Sequence, residues 1–288
     1  MASLTGVGVA IITPFSSDFS VDYISLEKLI NHLISSKVDY IVTLGTTGET
    51  ATLTEHEKID ILNFTYEKVN GRVPVVVGIG GNNTSKVVEQ VKSWPLEKAA
   101  AILSVSPYYN KPSQEGIYQH YAAIASSTSK NIILYNVPGR TMSNITAATT
   151  IRLAKDFNNI IGTKEASGNM VQCMHLVKNR PKGFLLISGD DHITLPLIAC
   201  GFDGVISVAA NSFAAEFSLL VHHCMAGNYE EARIRQSELL EQMDLLFVEN
   251  NPAGVKAFCA LKGLCENVLR LPLVPLSDIF MQKVKQFP

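Results

Sequence analysis

The residue that most clearly could carry out a reaction is a lysine at the end of an apolar run. Lys164 follows residues 160–163 (IIGT), a run typical of a buried strand. Burial lowers the pKa of a lysine, and the neutral amine can attack a ketone to form a Schiff base. The resulting iminium acidifies the neighbouring carbon, which permits C–C bond formation or cleavage without a metal. An ion pair with Glu49 or Glu165 explains the position equally well.

The candidates for a proton shuttle beside this lysine are phenols and a hydroxyl: Tyr135, Tyr109 and Thr46. A tyrosine at a strand end is also commonly a core residue with its hydroxyl at the rim. Tyr108 and Tyr109 are adjacent in a proline-bounded loop. We therefore expect one phenol to face the pocket and the other to point elsewhere.

A tight turn at residues 45–48 (GTTG) offers backbone N–H groups and two hydroxyls. Such a turn can hold a carboxylate. The alternative is a loop that only caps the helix expected to start near Thr54.

Other chemistries find less support in the sequence. A metal-dependent aldolase needs several imidazoles near strand ends, and only His192 is close to one. Asp190 and Asp191 fit caps of a helix beginning near residue 191 better than metal ligands. GIGGN at 78–82 lacks the phosphate-loop spacing, so its glycines indicate tight packing. No Gly-x-Ser-x-Gly motif occurs, and no cysteine has an obvious histidine partner.

The elements that must position these residues alternate between short β-rich runs and amphipathic stretches. Continuous apolar runs are typical of parallel strands buried on both faces. Eight of them predict an α/β fold, a (β/α)8 TIM barrel, whose active site lies at the carboxyl ends of the strands. The runs are 7–12, 40–44, 73–78, 99–105, 132–136, 159–163, 184–188 and 204–207.

Beyond residue 211 the strand signal stops, and the pattern predicts helices over 212–225, 228–249 and 252–264. Pro252 suits a first helical turn, with Asn251 as its cap. We predict a catalytic barrel at 1–224 and a C-terminal helical domain at 225–288.

Composition excludes several classes of partner. The chain has 288 residues, 17% of them charged, with a net charge of −2 and a pI near 6.4. No basic stripe indicates nucleic acid or an anionic membrane. No secretory signal or membrane-spanning run is evident, and the five cysteines form no CxxC pair. These features predict a cytoplasmic protein with reduced thiols.

Six motifs together resemble those of the dihydrodipicolinate synthases, within the class I pyruvate-dependent aldolases that include N-acetylneuraminate lyase. The resemblance runs in order from about residue 4 to NPAGVKA at 251–257. The motifs are GTTGE (45–49), SPYYNKPSQEG (106–116), YNVPGRT (135–141), GTKEASGN (162–169), SGDD (188–191) and GVISVAAN (204–211).

The resemblance implies a homotetrameric barrel that condenses pyruvate with L-aspartate 4-semialdehyde in lysine and diaminopimelate biosynthesis. It implies no metal and no organic cofactor. By motif position Lys164 is the Schiff-base lysine, Tyr135 the proton donor and acceptor, and Thr46 a relay hydroxyl. Tyr109 would complete the relay across a subunit interface. The substrate-binding positions implied by the motifs are Thr47, for the pyruvate carboxylate, and Arg140, Gly189 and Ile206.

Arg140 separates the main function from its alternatives. A guanidinium can bind the second carboxylate that the aldehyde substrate carries. N-acetylneuraminate lyase and other 2-keto-3-deoxy acid aldolases resemble one another in lacking an arginine there. A surface ion pair is the structural alternative for Arg140. A non-catalytic barrel that binds a keto acid is a further alternative, but it would not need the lysine, tyrosines and threonines together.

Feedback inhibition is a separate expectation. Many relatives bind lysine at an interface near the positions of Glu55, Lys58 and Lys86, where an acidic residue often holds the ammonium of the effector. Lys86 places a cation there, and like charges repel. We predict that lysine inhibits this enzyme weakly or not at all.

Overall fold

The computed structural model describes residues 4–287 and contains a closed barrel of eight strands. All neighbouring strands pair in parallel in chain order, and β8 closes on β1. The predicted (β/α)8 barrel is confirmed. The strands are β1 Gly6–Ala10, β2 Tyr40–Thr43, β3 Val75–Gly78, β4 Ala101–Val105, β5 Ile132–Asn136, β6 Ile160–Glu165, β7 Leu185–Ser188 and β8 Gly204–Ser207.

Helices follow the strands around the barrel, and three more, two of which were predicted, extend the C-terminus. The helices are α1 Tyr23–Ser35, α2 Glu55–Val69, α3 Thr84–Ser93, α4 Gln114–Ser126, α5 Pro138–Thr141, α6 Ala147–Asp156, α7 Met170–Asn179, α8 Thr194–Ala199, α9 Ala214–Met225, α10 Tyr229–Phe247, α11 Ala253–Leu261 and α12 Asp278–Val284. The predicted domain boundary after residue 224 falls at the last turn of α9.

Side-chain caps explain where most barrel helices begin. The side chains of Asp22, Asn83, Ser113 and Asn169 each accept a hydrogen bond from a backbone N–H in the first turn of the following helix. Thr54 forms a capping box with Glu57 at the start of α2. The cap expected at α11 is wrong. Pro252 itself precedes the helix, and Asn251 directs its amide to Thr47.

The core has two parts, as the alternation of side chains along the strands requires. An inner cluster fills the barrel and includes Tyr40, Val42, Val76, Ile187 and Ile206. A larger cluster lies between the sheet and the helices. Close packing explains Gly78, because a Cβ there would lie 2.1 Å from the carbonyl oxygen of Leu44.

Within residues 4–287, no helix combines the length and the apolar character needed to cross a bilayer.

Candidate active site

Lys164 and Tyr135 lie side by side at the carboxyl ends of β6 and β5. The two residues are direct partners in the parallel register. Lys164 is 5% exposed, and its Nζ lies 4.3 Å from the centroid of the Tyr135 ring. The phenol ring is therefore in contact with the amine.

The carboxylates considered as ion-pair partners of Lys164 are engaged elsewhere. Glu49 lies 2.5 Å from Nζ of Lys256, and both side chains are fully buried. Within residues 4–287, Glu165 accepts hydrogen bonds only from amide groups, including that of Asn136. Among residues 4–287, no carboxylate oxygen lies within 4.0 Å of the Lys164 amine. The ion-pair explanation for Lys164 is therefore wrong.

A cavity of about 280 Å³ opens beside the Lys164 amine. A second cavity of about 460 Å³ adjoins it and shares Thr46, Tyr135 and Arg140 as lining residues. The predicted site residues that line the smaller cavity are Thr46, Thr47, Tyr135, Arg140, Lys164 and Gly189. The structure thus brings six of the eight predicted residues together.

A third cavity, about 640 Å³, lies on the outside of the barrel between α6 and α7. It is bordered by residues such as Thr146 and His175 and by no residue of a strand end. The Lys164 amine instead lines the 280 Å³ cavity, and the 460 Å³ cavity adjoins it through shared wall residues.

The turn that bears Thr46 and Thr47 is fixed from three sides. Thr13 donates through Oγ1 to the carbonyl of Gly48 at 2.7 Å, and Thr50 donates through Oγ1 to the carbonyl of Gly45 at 2.8 Å. Asn251 donates through Nδ2 to Oγ1 of Thr47 at 2.9 Å. Because α2 is capped by its own Thr54, the interpretation of this turn as a helix cap is wrong.

Arg140 lies in the short helix α5 and borders both cavities. Its side chain is exposed, and within residues 4–287 it has no carboxylate partner at ion-pair distance. The surface ion pair offered as an alternative for Arg140 is wrong. Its guanidinium can bind an anion at the cavity mouth.

Tyr109 and Ile206 do not join the other predicted residues. Tyr108 lines the cavity of about 460 Å³, whereas Tyr109 is 88% exposed and lines neither that cavity nor the smaller one. The expected divergence of the two phenols is confirmed. Ile206 is 1% exposed and packs in the inner core below the cavity.

The acidic pair after β7 has a different role from the one expected. Asp191 accepts hydrogen bonds from the backbone N–H groups of Val208 and Ala209, at 3.0 and 2.8 Å. It therefore fastens the β7 loop to the β8 loop. The capping interpretation is wrong, because α8 begins at Thr194 without a side-chain cap.

His192 contacts carboxylates of the rim. Its ring lies between Asp190 and Asp244, which together raise its pKa above the ordinary value. No group of three metal-binding side chains occurs in the described part of the chain.

The sequence did not place His192, Phe247 or Asn251 at the substrate site. His192, Phe247 and Asn251 line the smaller cavity. Phe247 ends α10 and Asn251 precedes α11, so the C-terminal extension forms part of the wall. The NPAGVKA motif was the signal that could have placed Asn251 at the site.

A parallel eight-stranded barrel that presents a buried lysine beside a phenol at the carboxyl ends of its strands is the arrangement of a Schiff-base lyase of the class I aldolase type. Comparison with known proteins agrees. Residues 3–287 match the model of the dihydrodipicolinate synthetase family. The chain belongs to this family.

Individual relatives cover nearly the whole chain. A 4-hydroxy-tetrahydrodipicolinate synthase of Parabacteroides distasonis is 52% identical over 99% of this chain and 96% of its own length. The crystal structure of dihydrodipicolinate synthase from Aquifex aeolicus has a TM-score of 0.95 at 38% identity, covering 98% of this chain and 96% of that one. A chloride-inhibited dihydrodipicolinate synthase from Acinetobacter baumannii, complexed with pyruvate, has a TM-score of 0.95 at 37% identity, covering 99% and 97%.

Proposed function

We propose that this chain is a 4-hydroxy-tetrahydrodipicolinate synthase that condenses pyruvate with L-aspartate 4-semialdehyde in lysine and diaminopimelate biosynthesis. The observation that carries the proposal is the Lys164 amine, which is unpaired with any carboxylate of residues 4–287 and lies over the Tyr135 ring beside a cavity. The free cysteines fit a cytoplasmic location.

The reaction begins at the keto carbon of pyruvate. The unprotonated Lys164 amine attacks this carbon, and loss of water gives an imine. Thr47 and the backbone of its turn bind the pyruvate carboxylate, while Tyr135 transfers protons to and from the departing oxygen. Loss of a methyl proton then converts the imine into a nucleophilic enamine.

The second substrate arrives through the mouth bordered by Arg140. The guanidinium binds the carboxylate of the semialdehyde and orients its aldehyde toward the enamine. A C–C bond forms, and the aldehyde oxygen takes up a proton to become the hydroxyl of the product. The amino group of the semialdehyde then replaces the Lys164 nitrogen, which closes the ring and releases the enzyme amine.

The relay of protons extends through Thr46 to Tyr109 of a second subunit. Tyr109 is 88% exposed in one chain and has φ 74°, and its backbone N–H donates to the carbonyl of Thr141 at 3.3 Å. An exposed phenol on a hydrogen-bonded backbone suits a contribution to a neighbouring site within a homotetramer. We expect a mixture of Tyr109→Phe and Lys164→Ala subunits to regain activity that neither variant has alone. No recovery after subunit exchange would contradict the shared relay.

Borohydride reduction in the presence of pyruvate tests the proposal. Mass spectrometry should find a stable pyruvate adduct on Lys164, absent from Lys164→Ala and retained in Lys155→Ala, a control at the remote outer cavity. A coupled assay with both substrates should show turnover. A parallel assay should show no cleavage of N-acetylneuraminate. Absence of the adduct in the unmodified chain would refute the mechanism.

A further inference from the structure

Glu165 is a buried carboxylate whose partners in the described part of the chain are all amide groups. It is 2% exposed, yet no cation among residues 4–287 pairs with it. Its oxygens accept hydrogen bonds from Nδ2 of Asn136 at 3.0 and 3.1 Å, Nε2 of Gln172 at 3.0 Å and the backbone N–H of Ser167 at 2.8 Å. A buried carboxylate is costly, and these neutral donors offset that cost without a counter-charge.

The strand register places this carboxylate directly behind the catalytic pair. Tyr135 is the partner of Lys164, and the next residues, Asn136 and Glu165, are also partners. Successive side chains of a strand point to opposite faces of the sheet. Tyr135 and Lys164 therefore face the barrel interior, while Asn136 and Glu165 face the helices. The two pairs are separated by one residue along each strand, about 3.3 Å.

A hydrogen-bond network anchors the outer pair to the helix layer. Oδ1 of Asn136 accepts from the backbone N–H of Ile145 at 2.9 Å. Asn144 accepts from Asn136 at 2.8 Å and from Gln172 at 3.2 Å. The carboxylate of Glu165 thus joins the ends of two adjacent strands to the segments that begin α6 and α7.

We propose that Glu165 is a positioning residue that fixes the Lys164 amine against the Tyr135 phenol by clamping the ends of β5 and β6 from outside the barrel. The proposal rests on the proposed function, because it assigns the clamp to imine formation. Glu165 does not touch the reacting atoms. Its contribution is the separation and orientation of the two side chains that do.

The chemistry of the clamp specifies a carboxylate. Asn136, Gln172 and Ser167 all present N–H donors, so an acceptor with two oxygens satisfies them together. Glu165→Gln keeps the shape but turns one acceptor into a donor that faces other donors. The strand ends then have to separate or rotate. A displacement of about 1 Å at the reacting groups can cost about a hundredfold in rate.

The test compares the same carboxylate-to-amide change at the two ends of the barrel. Asp39 precedes β2 at the opposite end, where its Oδ2 accepts from the N–H of Val7 at 2.7 Å and contacts His222. Asp39→Asn is therefore a matched control for loss of stability. Single-turnover trapping with pyruvate and borohydride measures imine formation, and thermal unfolding of each oligomer measures stability.

We expect Glu165→Gln to slow imine formation by about a hundredfold, whereas Asp39→Asn keeps the unmodified rate even where the two melting temperatures fall equally. Turnover should fall without a comparable rise in the KM for the semialdehyde. Glu165→Asp keeps the charge but has a shorter side chain, so we expect an intermediate rate of imine formation. This variant tests the clamp if Glu165→Gln does not fold. The clamp would be overturned if the folded Glu165 variants formed the imine as fast as the unmodified chain. It would also be overturned if Asp39→Asn slowed imine formation equally. No adduct in the unmodified chain would instead overturn the proposed function.

Discussion

The buried ion pair between Lys256 and Glu49 fastens the C-terminal extension to the turn that carries the threonines. Lys256 lies in α11, and Glu49 follows that turn immediately. Nζ of Lys256 also donates to the carbonyl of Val268 at 2.8 Å and lies 4.1 Å from the centroid of the Phe15 ring. Both charged side chains are 0% exposed. Removing one partner leaves the other charge buried without its ion-pair partner.

Lys256→Met should therefore destabilise the chain strongly. Breaking one side of a buried pair costs about 3–5 kcal/mol, which corresponds to a fall of roughly 6–20 °C in melting temperature for a domain of this size. The double variant Glu49→Gln/Lys256→Met removes both charges and should recover about 2 kcal/mol of that loss. It should remain about 1–3 kcal/mol below the unmodified chain, because the Val268 carbonyl keeps no donor.

The pH dependence gives an independent check on the same pair. Burial lowers the pKa of Lys256 although Glu49 opposes the shift. In Glu49→Gln the opposing charge is gone, so Lys256 releases its proton at a lower pH in the folded chain than in the unfolded chain. The unfolded chain then binds more protons, and stability must rise with pH in that window.

Thermal unfolding at fixed protein concentration, across pH 6 to 9, provides the assay. The four chains form a double-mutant cycle, whose interaction free energy isolates the pair. A coupling below about 0.5 kcal/mol, or a Glu49→Gln variant whose stability is independent of pH, would refute the reasoning.

Three further predictions concern the site and its surroundings. Arg140→Ala should lower kcat/KM for the semialdehyde by about a hundredfold, because it removes a charge-assisted contact worth about 3 kcal/mol. Pyruvate trapping at Lys164 should be unchanged. Equal losses of kcat/KM and of pyruvate trapping would contradict the role of Arg140 in binding the carboxylate. Lysine at micromolar concentration should leave activity intact, because Lys86 repels its ammonium; full inhibition there would contradict the prediction. Burial lowers the pKa of His120 to about 4, so the unfolded chain binds an extra proton as pH falls below about 6.5, and stability should decrease by about 3 kcal/mol by pH 4. His120→Gln should unfold with a flatter pH profile in the same thermal assay; an unchanged slope would contradict this assignment.

The barrel was predictable because each strand is buried on both faces and therefore forms a continuous apolar run. The two strands 132–136 and 204–207 match their predicted bounds. Short helices without a hydrophobic period, such as α5 and α12, left no comparable signal. The capping expectation for Asp190 and Asp191 failed because a carboxylate before a helix can equally bond a neighbouring loop. Asn251 and Thr47 form a hydrogen bond although 204 positions separate them in the sequence. Local sequence patterns cannot predict a contact of this kind.

The pairing of Lys164 with Tyr135 depends on a shift in register that no periodicity predicts. Ile132 is the partner of Ile160, but Ile133 is the partner of Gly162, so β6 contains one extra residue at Ile161. Without it, Lys164 would be the partner of Asn136 and would face the helices, while Thr163 would lie beside Tyr135. A one-residue change moves every later side chain to the other face.

The packing agrees with this shift. Ile161 and Lys164 both face the barrel interior although three positions separate them, which unbroken alternation forbids. Bulges of this kind occur next to active sites, where they redirect a side chain. The same shift turns Glu165 outward to its amide partners and keeps its carboxylate from neutralising the amine. One inserted residue therefore decides that Lys164 reaches the cavity as a nucleophile and that Glu165 supports it from behind.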